Sequence, residues 1–139
     1  METVNHDTLR DLEHGTPALF LWSARALPAL LGVQFLLAGQ ALFGGMSWDL
    51  HAIVGVTVGL PVLVLAICAL GLARLRGFGW WAGLTLILYL TQVGLAMAGT
   101  GALALHPFNG ALLLTSALVL LAKVERRRAH LPRLPTNPR

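Results

Sequence analysis

Two histidines occupy matching positions in this chain. His51 is followed four residues later by Gly55, and His106 is followed at the same spacing by Gly110; a leucine precedes each histidine. Imidazole is a standard axial ligand of haem iron, and residues four apart lie on one face of a helix. The pattern therefore predicts two haem ligands on helices, each with a glycine one turn away that leaves room for a porphyrin edge.

A glutamine precedes each histidine along the chain. Gln34 lies 17 residues before His51, and Gln92 lies 14 residues before His106. We interpret this as one helical hairpin repeated in parallel. Together with Asn109, the two glutamines would supply local polarity around a bound cofactor.

Long uncharged segments must position these residues. Of the 139 residues, 56% are apolar and only 12% are charged, whereas an ordinary soluble domain is about one quarter charged. No Asp, Glu, Lys or Arg occurs in 26–48, 50–73 or 77–122. A membrane-spanning helix needs about 20 mostly apolar residues. The sequence therefore predicts an all-α integral membrane protein, an antiparallel four-helix bundle in contact with the lipid bilayer.

The predicted transmembrane domain covers residues 18–122. Its four spans are expected at about 18–43, 48–73, 80–98 and 103–122, and the last two are separated at Gly99-Thr100-Gly101. A polar cytoplasmic lead, 1–17, is net acidic, unlike a secretory signal, so the first span is expected to be retained. A basic, Pro-rich cytoplasmic tail, 123–139, is expected to be disordered or to lie on the membrane surface.

Basic residues indicate the orientation. They lie in the N-terminal flank, in the loop that contains Arg74 and Arg76, and in the tail from Lys123, and the other two loops contain none. The positive-inside rule then predicts a multi-pass protein of the cell (inner) membrane with both termini in the cytoplasm. It places His51 and His106 toward the outer face.

The second and fourth spans run in the same direction and are expected to face each other diagonally across the bundle. Their histidines at matched depth predict one bis-histidine haem, of the b type, with His51 and His106 as the metal ligands. An alternative interpretation needs no cofactor. A histidine at a helix start is then an interfacial residue, while the glycines and glutamines serve helix packing.

At these two histidines the chain resembles one half of a haem A synthase and, more loosely, the four-helix membrane cytochromes of the b561 kind. It is also similar to small bacterial four-helix membrane proteins of unassigned function. The resemblance covers about 18–122 and implies that His51 and His106 are axial ligands on the outer side. The chain departs from the synthase in having one four-helix half, no paired outer cysteines, and only Asp49 as a nearby acidic residue.

The sequence thus predicts a small membrane cytochrome b that relays electrons between the quinone pool and a partner protein. An electron-transfer protein is favoured over a stand-alone enzyme. One haem cannot carry electrons across the bilayer, so a homodimer or a larger complex is expected. The alternative is a non-redox accessory or assembly subunit of a larger membrane complex. A transporter is disfavoured because the spans have no charged residue near mid-membrane, and the basic flanks give no argument for nucleic-acid binding.

Overall fold

The computed structural model describes residues 8–9 and 11–130, and all regular secondary structure in that part of the chain is helical. Two short 3-10 segments, Leu12–His14 and Ala73–Phe78, accompany the α-helices. The α-helices are α1 (Ala18–Phe43), α2 (Asp49–Gly71), α3 (Gly79–Met97), the one-turn α4 (Thr100–Leu103) and α5 (His106–Ala129). The all-α prediction with four long helices is confirmed.

The four long helices are apolar enough to cross a membrane, with mean hydropathies between 1.4 and 2.7. Large apolar side chains cover their outward faces; Phe43 is 90% exposed and Met97 is 82% exposed. A helix that is apolar on all sides needs either a protein core or lipid around it. The protein is therefore a multi-pass membrane protein.

The helices pack as two hairpins. α1 packs mainly on α2, and α3 packs mainly on α5; contacts between α2 and α3 and between α1 and α5 close the bundle. This ring places α2 and α5 diagonally opposite each other, as predicted. We call the end that contains His51 and His106 the histidine end, and the opposite end, which contains Arg74 and Arg127, the arginine end.

The buried apolar core lies toward the arginine end. The last buried apolar side chain of α1 is Leu31, and the first of α2 is Val58. In α3 the only buried apolar residue is Ala82. The last twelve residues of α1 and the first nine of α2 contain no buried residue. Buried apolar side chains are therefore concentrated at the arginine end and scarce at the histidine end.

The chain breaks between α3 and α5 where the sequence predicts it. Gly99 has a φ of 89°, a backbone conformation that suits glycine because it has no Cβ. The short α4 follows, so the fourth long helix begins at His106, three residues later than predicted. α2 also ends earlier than predicted, at Gly71.

The fourth long helix continues seven residues past the predicted end at 122, to Ala129. The expectation of a disordered tail from Lys123 is therefore wrong for its first part, and residues 131–139 lie outside the described residues. Polar contacts explain the extension. Glu125 accepts a hydrogen bond from Arg25 of α1 at 2.6 Å, and the fully buried Arg127 binds the backbone of the lead.

Candidate metal centre at the histidine end

The structure brings the two predicted ligands together. His51 lies in the first turn of α2 and His106 begins α5, and their ring centroids are 6.2 Å apart with an interplanar angle of 60°. Both side chains are partly buried. Residues that are 55 positions apart in the chain thus meet across the bundle because the two parallel helices begin at the same depth.

Each imidazole is oriented by the backbone of the preceding helix. His51 Nδ1 lies 3.2 Å from the carbonyl oxygen of Gln34, and His106 Nδ1 lies 3.1 Å from that of Gln92. A carbonyl oxygen only accepts, so Nδ1 must carry the proton in both rings. In the neutral imidazole Nε2 is then left with a free lone pair. The two hairpins repeat this contact, which confirms the predicted internal repeat.

The glutamine side chains make different contacts in the two hairpins. Gln34 Nε2 donates to the carbonyl oxygen of His51 at 2.9 Å. The Oε1 atom of Gln92 instead accepts from Asn109 Nδ2 at 2.6 Å, and Asn109 also donates to the carbonyl oxygen of Leu88 at 2.9 Å. These bonds join α1 to α2 and α3 to α5 beside the histidines. They fix each histidine-bearing helix against its neighbour.

The glycines do not border an open groove, contrary to the prediction. A Cβ added to Gly55 would lie 3.5 Å from Gln34 Nε2, and one added to Gly110 would lie 3.2 Å from Gln92 Nε2 and 3.4 Å from Phe35 Cζ. The space beside each glycine is filled by a side chain of the neighbouring helix. Their contribution is close helix packing, the alternative that the sequence left open.

Two aromatic residues near the site were not identified from the sequence. The Trp48 ring lies edge-on to His51, with centroids 5.5 Å apart. The Tyr89 hydroxyl donates to the carbonyl oxygen of Gly55 at 3.2 Å. Tyr89 is the single tyrosine of the chain and lies in an apolar span. A buried hydroxyl needs a partner, so its presence there could have indicated an interhelical bond.

The described residues contain no group of three or more His, Cys, Asp or Glu that could hold a metal ion. A structural zinc site needs four ligands, whereas haem iron takes only its axial ligands from the protein. The two histidines thus offer one candidate ligand nitrogen each, the Nε2 atom that does not contact a backbone carbonyl.

The fold and the histidine pair define a class, that of multi-pass helical membrane proteins with a candidate metal centre at one end of the bundle. Residues 34–102 match a family of unknown function, DUF6220. The match begins at Gln34, includes His51 and Gln92, and ends before His106. No curated protein and no solved structure matches the chain. The resemblance to haem A synthase therefore stays a prediction.

Proposed function

We propose that the protein is a small membrane cytochrome b that holds one haem b between His51 and His106. The closeness of the two histidine rings is the observation that carries this proposal. A metal about 2 Å from one nitrogen of each of two imidazoles would separate their ring centroids by about 6 Å. The ring separation of 6.2 Å supports axial ligation by both residues.

The hydrogen bonds of the two rings support the same role. Metal-binding histidines commonly donate their other ring N–H to a carbonyl or carboxylate oxygen, which fixes the tautomer and orients the ring. The carbonyl groups of Gln34 and Gln92 accept such bonds here. The Nε2 atom of each ring would then be the one left to bind the iron.

The scarcity of buried apolar side chains at the histidine end also supports a large apolar cofactor. Buried side chains of α1 end at Leu31, which leaves the remaining three turns of that helix without a protein core. Close packing is the rule in protein interiors. A porphyrin would supply apolar surface in this region, and the partly exposed Phe35 and Trp48 are available to contact it.

A haem in this position would exchange single electrons. The basic residues cluster at the arginine end, so the positive-inside rule favours a cytoplasmic location for both termini and an outer location for the histidine pair. We therefore propose electron relay between the quinone pool and a redox partner on the outer side of the bacterial inner membrane. A single haem near one face requires a partner subunit or a homodimer.

The first test is the dithionite-reduced minus air-oxidised optical spectrum of the detergent-purified protein, produced with ample haem. We expect a sharp α band and a shifted Soret band in the wild type and their loss in His51→Ala and in His106→Ala. The matched controls are His14→Ala and His130→Ala, because both of these histidines are exposed and lie at the arginine end. The control variants should keep the wild-type spectrum.

A flat wild-type spectrum would refute the cytochrome proposal. The chain would then be better explained as a non-redox accessory or assembly subunit of a larger membrane complex. A haem signal that survives both histidine substitutions would refute the assigned ligands.

A further inference from the structure

A cleft of about 290 Å³ lies at the arginine end, between the N-terminal lead and the turn after α2. It is lined by Asp11, His14, Leu72, Ala73 and Arg74. Leu72 and Ala73 directly follow the end of a helix long enough to span the membrane. The cleft therefore lies at the depth of the lipid headgroups rather than of the hydrocarbon core.

Arg74 brings an unused hydrogen-bond donor to this cleft. Its side chain is partly buried, and its Nε atom is buried with no hydrogen-bond partner among the described residues. By contrast, Arg25 is paired with Glu125. Because the Nε atom of Arg74 is shielded from solvent, an acceptor in the cleft would reach the terminal Nη atoms of the guanidinium. Phosphate oxygens are preferred acceptors for arginine.

Asp11 brings the opposite charge to the same cleft. Its carboxylate is exposed and forms no ion pair with any residue that the structure describes, Arg74 included. A simple anion would be repelled by this carboxylate. A zwitterion with a phosphate at one end and an ammonium group at the other would satisfy both Arg74 and Asp11.

We propose that the cleft binds the headgroup of phosphatidylethanolamine. The lipid phosphate accepts hydrogen bonds from the terminal Nη atoms of Arg74, and the primary ammonium donates to the carboxylate of Asp11. Leu72 provides the apolar surface where the acyl chains leave the cleft toward the bilayer. Phosphatidylcholine offers no N–H donor to Asp11, and phosphatidylglycerol has no ammonium group. This inference does not depend on haem binding.

The test is native mass spectrometry of the full chain, titrated separately with the ethanolamine, choline and glycerol lipids bearing identical acyl chains. We expect the ethanolamine lipid to bind about tenfold more tightly than the choline lipid, which is the factor expected of one charge-assisted hydrogen bond. Arg74→Gln should weaken binding of all three lipids about tenfold. Asp11→Asn should lower the affinity for the ethanolamine lipid to that for the choline lipid.

The matched control is Arg76→Gln, which removes the same charge from an exposed side chain two residues away. Its lipid affinities should equal those of the wild type. Equal losses in Arg74→Gln and Arg76→Gln would overturn the proposal, because general charge attraction would explain both. Equal wild-type affinity for the ethanolamine and choline lipids would also overturn it.

Soluble phosphoethanolamine distinguishes a lipid site from a site for the free phosphoester. We expect it not to displace the lipid at equal concentration, because it lacks the acyl chains that contact Leu72. Displacement at equal concentration would overturn the lipid assignment. Circular-dichroism melting verifies that each variant folds, and if Arg74→Gln does not fold, the headgroup selectivity of Asp11→Asn decides the question.

Discussion

At the scale of single residues, Gly55 and Gly59 of α2 are most informative because each lies against a different side chain. A Cβ on Gly59 would lie 2.7 Å from the Tyr89 hydroxyl oxygen and 3.2 Å from its Cζ. The Tyr89 side chain extends from α3, and its hydroxyl donates a hydrogen bond to the carbonyl oxygen of Gly55 in α2. The side chain cannot move away from Gly59 without losing that hydrogen bond. Gly59 is therefore required by the position of Tyr89.

We expect Gly59→Ala to lower the free energy of unfolding by about 1–3 kcal/mol, the usual cost of overpacking. Tyr89→Phe in the same chain should recover part of the loss because it removes the closest atom. The control is Gly83→Ala, since a Cβ there meets nothing within 4 Å. Thermal unfolding in detergent measures the stability of all three variants. A Gly59→Ala protein as stable as Gly83→Ala would contradict this account.

Asn109 is the second residue whose contacts allow a quantitative expectation. It is buried and donates both to Gln92 Oε1 and to the carbonyl oxygen of Leu88. We expect Asn109→Leu to destabilise the protein by about 1–2 kcal/mol, because bonds between membrane helices contribute about this much. Thr115→Val is the control, since that exposed hydroxyl bonds only within its own helix, to Ala111. Equal melting temperatures for the two variants would show that the Asn109 bonds are energetically neutral.

At the scale of the helices, the sequence predicts what hydropathy and spacing control. The uncharged segments predicted the four long helices, and the repeated Gln and His positions predicted that His51 and His106 would meet. The neighbours of Gly55 and Gly110 could not be predicted, because they depend on how Gln34 and Gln92 pack between helices. The extension of α5 past Lys123 was missed for a related reason. The run of apolar residues ends before Lys123. The helix continues beyond it because Glu125 and Arg127 make tertiary contacts.

The Arg127 contacts join the lead to α5. Its guanidinium donates to the carbonyl oxygens of Thr8 at 2.9 Å, Asp11 at 3.1 Å and Gly15 at 3.4 Å, and the residue is fully buried. A buried guanidinium that binds several carbonyls orders the segment that carries them. The described part of the lead, 8–9 and 11–17, is therefore held against the bundle.

We expect Arg127→Met to release the lead and to speed cleavage after the exposed Glu13 by a glutamate-specific protease about tenfold. That factor corresponds to about 1.4 kcal/mol of lost local stability. Arg128→Gln is the control, because Arg128 is exposed and pairs only with Glu125 at 3.6 Å. Cleavage at the wild-type rate in Arg127→Met would show that the lead is held by other contacts.

At the scale of the whole molecule, the two ends of the bundle differ in charge and in packing. Among the residues that the structure describes, every Lys and Arg lies at the arginine end. The loop between α1 and α2 and the segment around α4 contain neither residue type. The rim of the histidine end has no described Lys or Arg and exposes Trp48 and Leu105 beside the acidic Asp49. This asymmetry matters for the proposed function because it decides which compartment the histidine pair faces.

Single-cysteine labelling tests the orientation directly. After Cys68→Ser, which leaves no other cysteine, Met46→Cys places an exposed thiol at the histidine end and His130→Cys places one at the arginine end. With the arginine end in the cytoplasm, a membrane-impermeant maleimide should label Met46→Cys in intact cells and His130→Cys only after lysis. The opposite labelling would place the histidine pair at the cytoplasmic face. Electron exchange would then be expected with a cytoplasmic partner, while the optical test of haem binding would be unaffected.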